Sequence, residues 1–260
     1  MKPKNACFLL LILVPFLLSH CNHITEEEIE KVQIKLDTPT GKIIARHFEA
    51  SGGLRKHMEL KSKKMLAREK SINGSRIYHV YAKSPNKRYS ASKMNGNVRI
   101  HSSYDGEMSW SYDSEYGYQV YQNNFLADRV AERAEFESPF INADEKGHHF
   151  ELMDPENIAG KTYDVIKLTK YYHLDKKNVV YYYLFDQKTG LMSARRFILD
   201  DEPNVGTVEE MWYNDYRPTE YGLLMPYKIE FKNNGKLSFT YLVKKYIMNE
   251  NIEDEIFEIE

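Results

Sequence analysis

The chain has 260 residues, of which 42% are hydrophobic and 28% charged, and its net charge is −2. This composition excludes a disordered chain, a collagen-like repeat and a disulfide-stapled miniprotein. The near-neutral charge argues against nucleic acid as the main partner, because phosphate binding usually needs a clear basic excess. Only one long apolar run occurs, which excludes a polytopic membrane protein, and twenty Tyr with twelve Phe favour a β-rich fold.

The first twenty residues are predicted to form a secretory signal peptide. Lys2 and Lys4 precede an apolar run from Phe8 to Leu18, which is too short for a membrane-spanning helix of about 20 residues. A charged segment followed by a short apolar run is typical of such peptides. The alternative, a buried N-terminal helix, is disfavoured because Pro15 interrupts the run.

The run Leu18-Ser19-His20-Cys21 resembles a bacterial lipobox, in which the cysteine becomes the N-terminal residue and carries acyl chains. His20 departs from that pattern, since small residues are usual at its position. We therefore expect lipidation of Cys21, with ordinary cleavage to a soluble periplasmic or extracellular protein as the alternative. Asn22 in place of Asp favours the outer membrane over inner-membrane retention. Cys7 leaves with the peptide, so no intramolecular disulfide is possible.

Residues 21–37 are polar and acidic and are predicted to be a tether. Thr38-Pro39 then starts a helix, with an N-cap followed by Pro at the first helical position. This helix ends at Ser51-Gly52-Gly53, and a second short helix is expected from Leu54 to Leu60.

From about Lys63 the apolar residues recur with a period of two, which predicts strands separated by hairpin turns such as Asn73-Gly74 and Asn95-Gly96. Residues 123–136 change to helical spacing, with Asn123 or Asn124 as the cap. Strands resume at 147 and continue to 246.

These elements predict a mainly β (α+β) fold of about ten to twelve antiparallel strands with two or three helices. We expect one domain over residues 38–260, since no linker or repeat divides it. A sheet this long usually curls or closes. A curved sheet that stays open, forming a half-barrel closed by the helices, would leave a pocket on its concave side.

Chemical motifs are weak. His149 and Glu151 share a strand face and could hold a metal, but no third ligand is visible. The acidic pairs Asp105/Glu107 and Asp200-Asp201-Glu202 are typical of solvated turns, and no nucleophile elbow, P-loop or dinucleotide motif occurs. We therefore expect no enzyme, no cofactor and no metal. The aromatic runs Tyr181-Tyr182-Tyr183 and Trp212-Tyr213 fit either a packed core or a cavity wall.

Taken together, the motifs resemble those of the LolA-like outer-membrane lipoprotein-sorting proteins, and more closely a branch of larger secreted or lipidated homologues. Over roughly residues 40–235 the resemblance is carried by an ordered set of short motifs: Ala50-Ser51-Gly52-Gly53-Leu54, Ser84-Pro85-Asn86-Lys87, Tyr104-Asp105-Gly106 with Trp110, Gly147 with His149-Phe150-Glu151-Leu152, Phe185-Asp186 with Thr189-Gly190-Leu191, and Asp215-Tyr216-Arg217 with Gly222, Leu223 and Pro226.

This resemblance implies a half-barrel whose concave apolar face holds acyl chains of lipids or lipoproteins without covalent chemistry. Asp105, Gly106, Gly222 and Pro226 are interpreted as structural turn residues. The best-known carriers use one Arg to hold the lid, and Arg133 is a candidate for that position. We expect ligand contacts from the predicted lid helix and from one face of the last two strands: Phe125, Leu126, Val130, Tyr227, Ile229, Phe231, Phe239 and Tyr241.

The sequence thus predicts an envelope protein of a Gram-negative-type bacterium, in the outer membrane or periplasm, that binds lipid or lipoprotein acyl chains and reaches the membrane through an N-terminal anchor. The alternative is a structural or interaction protein of the envelope, with a filled core and partners bound on its surface. A hydrolase using His149 and Glu151 is the third and least favoured interpretation.

Overall fold

The computed structural model describes residues 38–122, 124–171, 178–199 and 205–259, together with Glu27 and Ile29. The predicted signal peptide, Cys21 and most of the tether lie outside these residues, as does the acidic run Asp200-Asp201-Glu202. No helix in the described part has the length and apolar character needed to cross a bilayer.

Within the described ranges, three α-helices and one short 3-10 helix accompany the strands. They are α1 (Pro39–Ala50), α2 (Leu54–Glu59), α3 (Phe125–Ala134) and the 3-10 helix Asp254–Phe257. The strands are β1 (Ser62–Ser71), β2 (Gly74–Lys83), β3 (Lys87–Met94), β4 (Asn97–Tyr104), β5 (Ser109–Asp113), β6 (Gly117–Tyr121), β7 (His149–Ile158), β8 (Lys161–Tyr171), β9 (Asn178–Asp186), β10 (Met192–Ile198), β11 (Val208–Pro218), β12 (Leu224–Asn233) and β13 (Lys236–Met248).

The strands form one antiparallel sheet in the order β6-β5-β4-β3-β2-β1-β13-β12-β11-β10-β9-β8-β7. Every neighbour is a hairpin partner except β1 and β13, which pair across the whole chain. The sheet curves without closing, so β6 and β7 remain its two edges although only the α3 segment separates them in sequence. The expected open half-barrel is therefore confirmed, with thirteen strands in place of the ten to twelve expected.

Helix α1 begins as its sequence predicts. The hydroxyl of Thr38 accepts a hydrogen bond from the backbone nitrogen of Gly41 at 3.0 Å, and Pro39 occupies the first helical position. The helix buries Ile44 and Phe48 against the concave side of strands β8–β10. The core formed there is completed by Phe140, Ile141, Ile166, Leu168, Tyr181, Tyr183, Phe185 and Phe197.

The edge strand β7 is irregular. Its pairing with β8 shifts between Met153 and Glu156, where Asp154 and Pro155 form a bulge. Pro155 has no backbone N–H, so this position donates no backbone hydrogen bond, either to β8 or to a strand outside the sheet. A proline at an edge strand or bulge is the placement that sheets tolerate.

Two of the motifs that carry the family resemblance meet at the seam between α1, α2 and the β11–β12 turn. The backbone nitrogen of Leu224 donates to the carbonyl of Ser51 at 2.9 Å, and the ammonium of Lys56 donates to the carbonyl of Gly222 at 3.3 Å. Gly52 has a φ of +119°, and a Cβ there would lie 2.7 Å from the Gly222 oxygen. The glycines at 52 and 222 are thus needed for one close backbone contact.

The turn acids are structural as well. Asp105 accepts hydrogen bonds from the backbone nitrogens of Glu107 and Met108, at 2.8 and 2.7 Å. Asp186 does the same for Lys188 and Thr189, at 2.8 and 2.9 Å. These are Asx turns, in which a short side chain replaces a backbone acceptor.

Replacing Gly52 by Ala tests the seam. We expect Gly52→Ala to lower the free energy of unfolding by about 1–3 kcal/mol more than Gly53→Ala, because it adds a backbone clash to the strain of a positive φ. Gly53 is the matched control, since its φ is +95° but a Cβ there meets nothing within 4 Å. Urea unfolding of both variants measures the difference, and equal losses would contradict the seam contact.

Candidate functional site

The concave face of the sheet encloses a cavity with two connected lobes. The larger lobe lies beside α1 and α2 and has a volume of about 410 Å³. The second, of about 360 Å³, lies beside the β12–β13 hairpin. Nine residues line both lobes, so they are joined: Lys63, Met65, Val80, Arg88, Arg133, Arg195, Met211, Tyr213 and Ile229. Each lobe falls within the range of about 300–1,000 Å³ typical of small-molecule sites.

We call the larger space the helix-side lobe. Its wall is mainly apolar and comes from α1, the segment after α3 and strands β9–β13. The apolar lining residues are Phe48, Phe136, Phe140, Tyr183, Met192, Leu223, Leu224, Met225, Pro226 and Tyr246, besides those shared with the other lobe.

We call the smaller space the aromatic lobe, because two stacked ring pairs form its wall. Phe231 on β12 stacks on Phe239 of β13 with ring centroids 4.8 Å apart, and Tyr241 stacks on Tyr78 of β2 at 4.4 Å. Phe239 also meets Tyr241 edge-on at 5.0 Å. Cross-strand pairs of this kind make a rigid apolar surface.

Helix α3 crosses the open side of the half-barrel. Asn124 caps it by accepting a hydrogen bond from the backbone nitrogen of Ala127 at 2.9 Å. On one side α3 packs on β3–β5, where the Ser109 hydroxyl donates to the Ala127 carbonyl at 3.2 Å. It therefore occupies the position of a lid, as the sequence predicts for residues 123–136.

The other side of α3 is held by charges. Lys170 on β8 lies 3.4 Å from the carboxylate of Glu132, and the hydroxyl of Tyr181 on β9 donates to the same carboxylate. Burial raises the pKa of Glu132, but Lys170, Arg195 and the Tyr181 hydrogen bond outweigh it and hold that pKa below its ordinary value. Arg129 reaches Glu209 of β11 at 3.5 Å. The lid is thus tied across the cavity by ionised groups.

The residues that α3 presents to the cavity are Arg129, Arg133 and Ala134. Of the lid residues predicted to touch ligand, Leu126 is 54% exposed and Val130 is half-buried, and neither lines a lobe. The side chain of Phe125 lies outside the described part of the chain. Arg133 reaches the cavity, whereas Glu132 and Arg129 make the contacts that hold the lid.

The predicted strand residues come together at the cavity with one exception. Ile229, Phe231, Phe239 and Tyr241 all line the aromatic lobe. Tyr227 lines neither lobe but packs edge-on, at 5.5 Å, against Tyr246, which lines the helix-side lobe.

Both aromatic runs divide between the two faces of the sheet. Tyr181, Tyr183 and Tyr213 line the cavity, whereas Tyr182 and Trp212 pack in a separate cluster around Val165 and Leu184. The sequence left packed core and cavity wall as alternatives for these runs. In the structure, some of their residues line the cavity and the others pack in a core cluster.

Two histidines lie at the helix-side lobe, His47 buried and His57 half-buried. Nδ1 of His47 accepts a hydrogen bond from the backbone nitrogen of Met192 at 3.3 Å, and Nε2 of His57 lies 2.9 Å from the Ser51 hydroxyl. Burial and the neighbouring His57 lower the pKa of His47 to about 4. Burial and Lys63 lower the pKa of His57 to about 4 as well. Both imidazoles are therefore neutral near pH 7.

Ser51 and His57 are residue types that can act as nucleophile and base. Here, however, the Ser51 hydroxyl caps the C-terminal end of α1. The Ser51 hydroxyl donates to the carbonyl of His47 at 2.7 Å, which caps α1. Its proton is thus engaged by the backbone, and the oxygen faces the imidazole as an acceptor.

The metal interpretation of His149 and Glu151 gains no support. Glu151 pairs with Lys167 at 2.9 Å, and the Nδ1 of His148 faces the carbonyl of Pro139 at 3.1 Å. Within the described ranges, no three His, Cys, Asp or Glu side chains come close enough together to hold a metal ion.

Comparison with known proteins places this architecture in the LolA-like fold. The chain is similar to a LolA-superfamily protein from Nitrosomonas europaea, with 13% identity, a TM-score of 0.54, and coverage of 84% of this chain and 96% of that one. It is similar to a domain named for outer-membrane lipoprotein sorting from Vibrio parahaemolyticus, with 10% identity, a TM-score of 0.53, and coverage of 83% and 94%. It is also similar to a DUF1329 family protein from Desulfovibrio piger, with 13% identity, a TM-score of 0.52, and coverage of 83% of this chain and 97% of that one.

No protein-family model matches the sequence, and no curated protein does. At these identities the structural likeness establishes the fold, which confirms the LolA-like architecture expected from the motifs.

The neutral histidines predict a loss of stability in acid. The unfolded chain takes up protons below a His pKa of about 6.5, whereas His47 and His57 resist protonation until about pH 4. Protons that bind these histidines only in the unfolded chain lower the free energy of unfolding. This loss is absent above pH 6.5 and grows as the pH falls towards 4. We expect His47→Asn/His57→Gln to lose less unfolding free energy than the wild type between pH 7 and 4.5, by about 2 kcal/mol for each histidine replaced. Urea unfolding at both pH values measures this, and parallel losses would contradict it.

Proposed function

We propose that this protein binds the acyl chains of a lipid or lipoprotein non-covalently in the two-lobed cavity, and that it carries or holds them in the bacterial envelope. The observation that supports this is a cavity lined by apolar and aromatic side chains and covered by a helix. Burial of an acyl chain there gains about 0.8 kcal/mol per CH₂ group, so binding needs no chemical step.

The details of the wall favour a chain-like ligand over a rigid one. Met65, Met192, Met211 and Met225 all line the helix-side lobe. Methionine side chains are flexible and polarisable and adapt to irregular apolar ligands. The rigid aromatic pairs Phe231–Phe239 and Tyr78–Tyr241 form the opposite end, so a chain entering the aromatic lobe would lie against flat ring faces.

The alternative of a filled core with surface partners fits the structure less well. That alternative requires a concave face with no void larger than a few water molecules, whereas the helix-side lobe alone measures about 410 Å³. Non-covalent binding is also favoured over hydrolysis, because Ser51 caps α1 and Glu151 is paired with Lys167.

The location follows from the N-terminal segment. We propose that residues 1–20 are removed, that Cys21 is lipidated, and that residues 21–37 tether a single domain over 38–260 to the outer membrane. Two proteins that share the fold come from Gram-negative bacteria, one of them named for outer-membrane lipoprotein sorting. An anchored chain would hold its ligand near the membrane, whereas unlipidated cleavage would leave a periplasmic carrier.

Native mass spectrometry of the full chain purified from a bacterial envelope tests the proposal. We expect a co-purifying mass that organic extraction removes and that fragments as a lipid. A protein that carries no added mass, and that binds no phospholipid on titration, would contradict acyl-chain binding.

A cavity-filling variant locates the site. Met211 lines both lobes, so Met211→Trp should reduce lipid occupancy about tenfold or more by occupying the space of the chain. The matched control is Lys228→Trp, because Lys228 points to the other face of neighbouring β12, where it pairs with Glu230. Equal lipid occupancy in the two variants would place the ligand elsewhere.

A further inference from the structure

The middle of the cavity, where the two lobes join, is strongly cationic. Four of the nine residues shared by the lobes carry a positive charge, namely Lys63, Arg88, Arg133 and Arg195, and we call them the cationic centre. They come from β1, β3, α3 and β10, so four separate elements direct cations to one place. The chain as a whole has a net charge of −2, so this concentration runs against its overall composition.

Three of these cations have no acidic group in contact with them. Among the described residues, the side chains of Lys63, Arg88 and Arg133 make no hydrogen bond and no ion pair. Arg195 approaches the sulfur of Met211 at 3.5 Å. Burial, together with Arg129, Arg195 and Arg88, lowers the pKa of Arg133, although Glu209 acts in the opposite direction, and burial with Arg88 lowers the pKa of Lys63.

The acidic groups near the cavity are already engaged. Glu209 pairs with Arg129 at 3.5 Å, while Glu135 pairs with Lys170 at 2.5 Å. Glu132 takes the remaining contacts from Lys170 and Tyr181. The two neighbouring histidines are neutral near pH 7 and add no charge of either sign. The cationic centre thus keeps an excess of positive charge that the protein itself does not compensate.

Lys63, Arg88 and Arg195 are half-buried and Arg133 is exposed, but cations gathered at one place repel one another, and no acidic partner in contact with them repays that cost. An acidic group on a ligand would supply that partner and would form charge-assisted hydrogen bonds with the guanidinium groups. The position of the charges also sets the shape of the ligand, since apolar lobes extend to both sides of the centre.

Resting on the proposed function, we infer that the ligand is an anionic amphiphile, whose carboxylate or phosphate group lies at Lys63, Arg88 and Arg133 while its acyl chain extends into an apolar lobe. Head-group charge then decides selectivity, and chain burial supplies affinity common to all lipids. A carboxylate would come from a fatty acid and a phosphate from an acidic phospholipid.

The test compares three probes that share one unsaturated hydrocarbon chain: oleate, oleoyl lysophosphatidic acid and oleyl alcohol. The delipidated full chain is titrated with each probe below its micelle concentration by calorimetry. We expect one or both anionic probes to bind at least about tenfold more tightly than the alcohol. The tighter of the two anions identifies carboxylate or phosphate as the source.

Arg88→Gln/Arg133→Gln tests the assignment, with Arg68→Gln as the matched control, because Arg68 is exposed and points to the opposite face of β1. The double variant should lose the anionic preference and bind the three probes with similar affinity, while Arg68→Gln keeps the preference. Because Arg88 and Arg133 repel each other, the unfolding temperature of the ligand-free double variant should be equal to or higher than that of the wild type. Should the double variant be poorly folded, Arg133→Gln alone provides the same comparison.

Equal affinity for all three probes would overturn the head-group inference and leave acyl-chain binding intact. An anionic preference that persists in the double variant would overturn the assignment to the cationic centre. Failure of every probe to bind would overturn both the inference and the proposed function.

Discussion

A thirteen-stranded sheet that curves without closing must cover a concave apolar face larger than one helix can reach, and this constraint governs the rest of the structure. Helix α1 fills only the part over β8–β10, where Ile44 and Phe48 enter the core. At the other end, α3 packs on β3–β5 and the 3-10 helix on β3, and the concave surface between these two ends becomes the cavity wall. The cavity is therefore a consequence of the mismatch between sheet area and helix number.

Polar contacts, rather than apolar packing alone, hold the lid helix α3 in place. A helix laid across an open cavity has little apolar surface to pack on its inner side, so packing alone cannot fix it. Here α3 rests on β3–β5 on one side and is joined by Glu132 and Arg129 to β8, β9 and β11 on the other. Ion pairs of this kind are directional and fix the helix in place while leaving the space beneath it unfilled.

Much of the fold was accessible from sequence because it follows from local rules. The caps at Thr38 and Asn124, the Asn-Gly hairpins and the period-two alternation of Tyr227 to Lys232 each depend on neighbouring residues alone. The LolA-like motifs were also visible, and the structure explains their co-occurrence: Ser51-Gly52 and Gly222-Leu223 touch each other across the seam.

The site was less accessible, because spacing shows which residues share a face but not whether that face meets core, solvent or cavity. On α3, apolar spacing pointed to Phe125, Leu126 and Val130, whereas the inner surface carries Arg129 and Arg133. On β12, alternation grouped Tyr227 with Ile229, although only Ile229 lines the cavity. Arg88 and Arg195 were missed because β3 and β10 both mix charged, polar and apolar residues, so a charged residue at an inward position does not stand out in the sequence.

The irregular edge at β7 bears on whether the sheet can pair with strands of other chains. An unclosed sheet offers two rows of free backbone groups, which are templates for pairing with a strand of another chain. At one edge, Asp154 and Pro155 interrupt the register and remove a donor, and at the other edge β6 is only five residues long. Each edge is therefore a poor template for a strand of another chain. The half-barrel can stay unclosed without favouring fibrous self-assembly.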